Sequence, residues 1–257
     1  MSATNNPTGR LLLVPNTLDL GTEPEAIETV LSPAILAIAA RLDHWVVENA
    51  KSARAFLKRV DVCVPLHAPL QSLQIVELPR PRKGDPNAQI DAQAWRALLA
   101  PALAGHDLGL LSEAGLPAVA DPGAALVQAA HAAGVTVQPL PGASSLTLAL
   151  AASGLNGQRF AFEGYLPQEA SSRAQRVREL EQRSRREGQT QLVIETPYRN
   201  QALMTALMQL LQAETMLSVA CGLTSPAGWC KTQSVANWRA AKPELPDKLP
   251  AVFMWQG

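Results

Sequence analysis

The sequence lacks the residue patterns that mark several large protein classes. Its only cysteines, Cys63, Cys221 and Cys230, have no CxxC spacing, so neither a disulfide framework nor a cysteine metal site is indicated. The four histidines have no ligand spacing either, and we expect no metal site. No sign of charge dominates, because 22 lysines and arginines balance 22 aspartates and glutamates. This argues against a protein that binds nucleic-acid phosphates over its whole surface.

Long apolar runs are also missing. The most apolar stretches, such as residues 31–40, stop short of the roughly 18 residues that a membrane-spanning helix needs. Residues 1–10 are polar and contain no signal-peptide core. We therefore expect a cytoplasmic protein that does not interact with a membrane.

Short apolar runs that alternate with amphipathic or alanine-rich stretches fill the first half of the chain. Residues 61–90 contain five prolines and are predicted to be irregular. The alternation predicts an α/β fold with a mostly parallel sheet and right-handed crossovers. The predicted strands are 11–14, 44–47, 108–111 and 135–137, and the predicted helices are 34–41, 52–60, 92–104 and 124–133.

After Pro139 and Pro141 the pattern changes, and strands follow one another without intervening helices. This favours a second, more mixed sheet, with a boundary near 138–142. We therefore expect two α/β domains, at 1–139 and 140–257. The elements predicted for the second domain are helices at 145–153, 171–186 and 201–211 and strands at 160–165, 191–195, 216–221 and 251–255.

Two loops that follow predicted strands are candidates for ligand binding. Residues 112–123 contain Ala, Gly and Pro at the edge where open α/β sheets bind ligands, so their backbone could approach a ligand closely. The alternative is a plain turn in which Asp121 caps the next helix. Residues 140–145 place two serines before a helix, where they could either cap that helix or contact a ligand.

These two loops and their order resemble the tetrapyrrole methylase superfamily of S-adenosylmethionine-dependent methyltransferases. The similarity is greatest to the branch that methylates a cytidine 2′-oxygen in 16S ribosomal RNA. It runs nearly continuously from Leu110 to Pro167. The segment Glu195-Thr196-Pro197-Tyr198-Arg199 resembles that branch's Glu-Ser-Pro-His-Arg motif. Together these segments make the resemblance more specific than either loop alone.

The resemblance implies that S-adenosylmethionine lies folded in a cleft between the two domains. In the first domain the glycine-containing loop is expected to hold the methionine moiety. In the second domain two positions are expected to frame adenine, namely Glu195 and Gly222. The full set of implied cofactor contacts is Leu18, Ala114, Gly115, Leu116, Val119, Ser144, Ser145, Glu195 and Gly222. Ribosomal RNA or the small ribosomal subunit as partner, and a homodimer, are also implied by the resemblance.

The sequence departs from the RNA branch at 15–21, 48–51 and 222–225, and these departures affect the acceptor side more than the donor side. Two alternatives stay open: methylation of a tetrapyrrole or another small molecule, and a paralogue that binds the cofactor without acting on ribosomal RNA. A hydroxyl acceptor has to lose its proton during transfer. Glu48 and Glu113, near predicted strand ends, are the candidate bases, although the sequence cannot place either one beside an acceptor.

An arginine-rich helix is the remaining candidate for RNA contact. Residues 171–186 contain six arginines, which can bind phosphates in a bidentate manner. A solvated helix face is the alternative, since the i,i+4 pairs Glu179–Arg183 and Glu181–Arg185 explain part of the pattern.

Overall fold

The computed structural model describes residues 8–17, 26–80 and 91–257. The chain forms two compact units, Met1–Ala143 and Ser144–Gly257. Residues 140–143 belong to the first unit, where the Leu140 N–H donates to the Leu13 carbonyl. The predicted α/β class is confirmed, with one five-stranded sheet in each unit.

The sheet of the first unit is entirely parallel, in the order β3-β2-β4-β1-β5. Its helices connect successive strands along the chain, as parallel pairing requires. The strands are β1 (Arg10–Val14), β2 (His44–Val47), β3 (Gln74–Glu77), β4 (Leu108–Leu111) and β5 (Thr136–Pro139), and the helices are α1 (Pro33–Ala40), α2 (Ala50–Cys63), α3 (Ala92–Leu98), α4 (Ala100–Leu103) and α5 (Ala124–Ala132).

Burial on both faces explains why the central strands are continuous apolar runs. In β1, Leu11 and Leu13 point into one core cluster, whereas Leu12 and Val14 point into the other. This strand is therefore fixed by hydrophobic packing on two sides. Its carboxyl end consequently holds a defined position at the end of the sheet where the parallel strands terminate.

Three local predictions differ from the structure of this unit. The predicted irregular segment contains β3, which lies at the sheet edge with mostly exposed side chains and so has no strong apolar pattern. The predicted helix 92–104 is divided into α3 and α4, since Pro101 has no N–H to continue the first helix. Helix α2 begins earlier than predicted because the Asn49 side chain accepts hydrogen bonds from the first backbone N–H groups.

The sheet of the second unit is mixed, in the order β6-β7-β10-β8-β9. Only β6 and β7 are parallel, and the other pairs are antiparallel. The strands are β6 (Phe160–Tyr165), β7 (Thr190–Glu195), β8 (Met216–Cys221), β9 (Trp229–Ser234) and β10 (Ala251–Gln256), and the helices are α6 (Ser145–Ser153), α7 (Ala170–Glu187), α8 (Asn200–Leu210) and α9 (Val235–Ala241).

Helix α6 covers one face of this sheet, and α7, α8 and α9 cover the other. Strand β9 and helix α9 were not predicted. The side chains of β9 are mostly polar and only half buried, because the strand lies at an edge, so its apolar signal is weak. The predicted mixed sheet of the second half is confirmed by the observed pairing.

Candidate functional site

The strand order of the first unit contains a switch point. Strands β1 and β4 are neighbours, but the chain leaves β1 toward β2 and leaves β4 toward β5, on opposite sides. Open α/β sheets bind ligands at such a switch point, beyond the carboxyl ends of the strands. The residues that follow β1 and β4 here are Asn16 and the loop 112–123.

Asn16 joins the ends of these two strands. Its backbone N–H donates to the Gly115 carbonyl at 2.9 Å and its carbonyl accepts from the Gly115 N–H at 3.0 Å. Its side-chain Nδ2 donates to the carbonyls of Ser112 and Glu113 at 3.1 and 3.0 Å, and its Oδ1 accepts from the Thr17 N–H at 2.8 Å. Because Asn16 is buried, these bonds are shielded from water and fix the shape of the loop. The sequence pattern did not single out Asn16.

Gly115 adopts a left-handed conformation with φ of +67°. A Cβ added at this position would meet no atom within 4 Å, so the space in front of its Cα is open. Within the described part of the chain, the backbone N–H groups of Ala114 and Leu116 make no hydrogen bond. The loop therefore presents unpaired backbone donors beside an open space, which is the arrangement expected of a ligand-binding loop.

The loop after β5 packs tightly on the loop after β1. A Cβ on Gly142 would lie 2.3 Å from the Pro15 Cβ, so only glycine allows this approach. The structure thus brings together the loops after β1, β4 and β5, beyond the carboxyl ends of these strands.

Three carboxyl groups lie at the same edge. Glu48 follows β2, and its Oε2 accepts a hydrogen bond from the Glu113 N–H at 3.0 Å, so the structure brings the two candidate bases together. The third is Asp121, whose pKa is raised to about 6 by burial, and then by the negative charges of Glu48 and Glu113. A carboxyl group with this pKa can accept a proton near neutral pH.

The alternative interpretation of Asp121 as a helix cap is wrong. Helix α5 begins at Ala124, its N-cap residue is Gly123, and no side chain caps it. Sequence reasoning missed Asp121 because an Asp-Pro-Gly segment is typical of helix starts. The neighbouring carboxylates that raise its pKa come from other parts of the chain.

Arg59 connects helix α2 to this edge. Its Nη1 donates to the Thr17 hydroxyl at 2.6 Å, and Thr17 is buried beside Asn16. The Arg59 guanidinium, which is bonded to the residue after Asn16, adds positive charge to an end of the sheet that otherwise presents carboxylates. No sequence motif indicated this residue.

In the second unit, Glu195 and Gly222 lie at one edge of the sheet. Both Glu195 and Cys221 pair with Ala251 of β10, from opposite sides, so the ends of β7 and β8 are about 10 Å apart across the intervening strand. Glu195 Oε1 accepts from the Thr196 N–H at 2.7 Å and from Arg199 Nη2 at 2.7 Å. This carboxylate therefore has a structural partner and a fixed orientation.

The turn after β8 is tight. Gly222 has φ of +57°, and its carbonyl accepts from both the N–H and the hydroxyl of Ser225. The Gly222 N–H donates to the Pro250 carbonyl at 2.9 Å, and the buried Asn200 donates to the Leu249 carbonyl at 2.9 Å. The segment before β10 is thus held from two sides, and Asn200 is a positioning residue that sequence reasoning missed.

Ser144 is the N-cap residue of α6 by its backbone, yet its side chain makes no capping hydrogen bond. The hydroxyl of Ser145 also makes none within the described chain. The capping explanation therefore does not account for either hydroxyl, and both stay predicted cofactor contacts.

Most arginines of α7 are engaged within the second unit. Arg176 and Arg183 both pair with Glu163 of β6, and Arg185 lies 3.6 Å from Glu181. The predicted pair Glu181–Arg185 is therefore present. Glu179 instead pairs with Arg176 at 3.4 Å and not with Arg183, because Arg183 reaches the more buried Glu163. These contacts favour a structural role for the arginines over an RNA-facing one.

Comparison with known proteins identifies the family. The family model of tetrapyrrole (corrin/porphyrin) methylases matches residues 50–241. The chain belongs to this family. The resemblance found in the loops 112–123 and 140–145 is thereby confirmed.

Two curated relatives share the name ribosomal RNA small subunit methyltransferase I. The protein from Synechocystis sp. is 42% identical over 127 residues, which cover 49% of this chain and 44% of that protein. The protein from Mycobacterium bovis is 30% identical over 204 residues, which cover 79% of this chain and 62% of that protein. The matched region therefore spans less than two thirds of the length of either relative.

Solved structures show the same tetrapyrrole methylase fold. The crystal structure of the methyltransferase CobJ superposes with a TM-score of 0.57 at 19% identity, covering 96% of this chain and 94% of that chain. At this identity the likeness establishes the two-domain α/β fold alone.

Val119 and Leu18 are the remaining candidate cofactor contacts of the first unit. Val119 is 43% exposed and lies on the same loop as Gly115, whereas Leu18 lies outside the described residues. In the described ranges, no helix is both long and apolar enough to cross a membrane, and no cluster of three or more His, Cys, Asp or Glu side chains could hold a metal ion.

Proposed function

We propose that this tetrapyrrole methylase family member is an S-adenosylmethionine-dependent methyltransferase. The observation that carries the proposal is the pairing of Asn16 with Gly115 at the switch point of the first sheet. Within the described chain, the backbone N–H groups of Ala114 and Leu116 on either side of this pairing make no hydrogen bond. The rigid loop fixes the direction in which they point. Family membership and the names of the relatives support the same activity.

The residues present fit the cofactor. The open space at Gly115 accommodates a ligand that a side chain would exclude, and backbone N–H groups suit the carboxylate of a methionine moiety. The bound cofactor supplies an electrophilic methyl group on a sulfonium whose leaving group is neutral. The remaining predicted contacts, Ser144, Ser145, Glu195 and Gly222, stay predictions, as does the position of the cofactor between the domains.

With such a donor, the protein contributes mainly alignment of the acceptor with the methyl group. Proximity and orientation contribute on the order of 7–11 kcal/mol to reactions of this kind. The chain also has to remove a proton if the acceptor is a hydroxyl. Asp121, with a pKa of about 6, is the best suited of the three edge carboxyls, because its basic form is populated at neutral pH and it still accepts a proton readily.

For the acceptor, we propose a ribose 2′-hydroxyl of ribosomal RNA in the small subunit. The names of both relatives support small-subunit ribosomal RNA, and the ribose 2′-hydroxyl rests on the resemblance to the branch that methylates that oxygen. The carboxyl cluster supplies groups that can accept the proton that such a hydroxyl loses. A tetrapyrrole or another small molecule is the second candidate, supported by the CobJ-like fold. A cytoplasmic location and a homodimer are proposed on the resemblance alone.

A pair of glycine variants tests the proposal. Gly115→Arg fills the open space at the switch point, whereas Gly134→Arg makes the same change at a position that is also left-handed and open but lies in the turn between α5 and β5. We expect calorimetry to show that S-adenosylmethionine binds the wild type and Gly134→Arg but not Gly115→Arg.

Radiolabelled methyl transfer then identifies the acceptor. Undermodified small ribosomal subunits and uroporphyrinogen are compared as substrates, and we expect label in the ribosomal RNA only. Equal binding by both glycine variants would show that the cofactor site is elsewhere. Label in uroporphyrinogen would support the second candidate. Label in neither substrate would rule out both proposed acceptors.

A further inference from the structure

A cavity of about 500 Å³ opens at the amino-terminal end of the first sheet. This end is opposite to the switch point, since parallel strands point their carboxyl ends to one edge only. The volume lies within the range of small-molecule sites, roughly 300–1,000 Å³. The proposed methyl transfer does not use this cavity.

Some polar side chains in the cavity wall already have hydrogen-bond partners within the protein. Arg10 donates through Nε and Nη2 to the two carboxylate oxygens of Asp107 at 3.1 and 2.5 Å, and through Nη1 to Gln138 at 3.0 Å. The guanidinium of Arg10 lowers the pKa of Asp107. These two residues therefore form a neutral pair that has little capacity left for a ligand.

Three other basic side chains in the same wall have no hydrogen-bond partner in the described chain, although the charge of Arg41 adds to that of Arg10 in lowering the pKa of Asp107. Arg41, His44 and His106 line the cavity, and none of their side chains makes a hydrogen bond to any residue in ranges 8–17, 26–80 and 91–257. The two imidazole rings lie 5.2 Å apart between centroids and are tilted by 50°. Their ring nitrogens are thus available to a ligand placed beside Arg41.

The lining also contains an apolar part. Leu12, Ile38 and Leu42 contribute to the cavity wall, so a ligand can bury apolar surface there as well as charge. The acidic Asp43 is engaged in part by His67, whose Nδ1 lies 3.4 Å from its carboxylate. The cavity therefore combines unpaired nitrogen donors with a small hydrophobic surface.

We propose that this cavity binds a small organic phosphate. The guanidinium of Arg41 offers a forked pair of donors that matches phosphate geometry, and the imidazoles of His44 and His106 each offer one further N–H. The organic part packs against the apolar wall. A metal cation is a poorer fit, since both oxygens of Asp107 are occupied by Arg10.

Calorimetry with phenyl phosphate tests the proposal, with phenol and inorganic phosphate as partial ligands. We expect phenyl phosphate to bind more tightly than inorganic phosphate, and phenol not to bind. The Arg41→Ala change should weaken binding about tenfold, and His106→Gln should weaken it by a smaller factor. Binding of phenol as tight as that of phenyl phosphate would overturn the assignment.

Two control variants and one competitor complete the experiment. Arg54→Ala and His131→Gln remove the same types of side chain from exposed positions on α2 and α5, and both should bind phenyl phosphate as the wild type does. Saturating S-adenosylhomocysteine should leave the affinity unchanged. If it abolishes binding, or if the controls lose affinity as much as Arg41→Ala, the phosphate binds elsewhere and the proposal is wrong. None of these results depends on whether the protein transfers methyl groups.

Discussion

The backbones of Asn16 and Gly115 exchange two hydrogen bonds, at 2.9 and 3.0 Å, and thereby join the ends of two neighbouring parallel strands. The Asn16 side chain adds bonds to two more carbonyls of the same loop. A loop of small residues would otherwise be mobile. This one residue therefore supplies much of the rigidity that the proposed cofactor site needs.

The first prediction concerns Asn16. Asn16→Ala leaves the carbonyls of the buried Ser112 and of Glu113 without their donor, so we expect a loss of about 1–3 kcal/mol in the free energy of unfolding. The loop should also lose its shape, and cofactor affinity should fall more than tenfold. Urea denaturation and calorimetry measure the two effects.

Asn156→Ala is the matched control. Asn156 donates to the Gly188 carbonyl at 2.7 Å and accepts from the Gln158 N–H, so its loss should lower the stability of the second unit without changing cofactor affinity. If both variants bind the cofactor as the wild type does, Asn16 does not position the loop for binding.

The second prediction concerns pH and Asp121. Burial and two neighbouring carboxylates raise its folded pKa to about 6, above its value in an unfolded chain. Protonated Asp121 therefore stabilises the folded state at low pH, and this stability is lost as pH rises through about 6. Asp121→Asn should increase the free energy of unfolding by about 1 kcal/mol at about pH 8 and change it less at about pH 5.

The same change should reduce methyl transfer, although it increases stability. Asp121→Asn cannot accept a proton, so kcat should fall at least tenfold while the KM for the cofactor changes little. A variant with wild-type kcat and no gain in stability at the higher pH would contradict both the electrostatic environment and the catalytic role.

The third prediction concerns Glu181, a buried carboxylate of α7. Its Oε1 accepts hydrogen bonds from the Thr215 hydroxyl and from the Gln212 N–H, the latter at 2.9 Å, and Arg185 lies nearby. Glu181→Ala leaves the buried Thr215 hydroxyl and the Gln212 N–H without their acceptor, so we expect a loss of about 2–4 kcal/mol in the free energy of unfolding. Glu179→Ala removes an exposed carboxylate of the same helix and should change stability by less than about 0.5 kcal/mol. Equal midpoints of urea denaturation for the two variants would show that the buried network contributes little.

The fourth prediction separates two roles of Glu195. Its Oε1 holds Arg199 and the Thr196 N–H, so Glu195→Ala and Arg199→Ala break the same ion pair and should cost similar stability. If Glu195 also contacts the cofactor, only Glu195→Ala weakens S-adenosylmethionine binding substantially, as calorimetry can measure. Equal affinities for the two variants would assign Glu195 a purely structural role.

Sequence reasoning identified the loop around Gly115 and named Glu48 and Glu113 as candidate bases, but it missed the residues that organise them. Asn16 and Asp121 each act through partners that are distant along the chain. Asn16 belongs to a segment that looked only like a departure from the family, and Asp121 looked like a helix cap. The arginines of α7 show the reverse case, because three of the six arginines that suggested phosphate binding pair with Glu163 and Glu181 instead.

The sequence by itself determined the α/β class, the central strands and the family, because apolar periodicity and a long motif are local properties of the chain. Only the tertiary structure decided which polar groups meet. The edge strands β3 and β9, the joining of Asn16 to Gly115 and the carboxyl cluster around Asp121 all depend on the order of strands in a sheet. That order brings residues about 100 positions apart into hydrogen-bonding distance, and no local pattern encodes it.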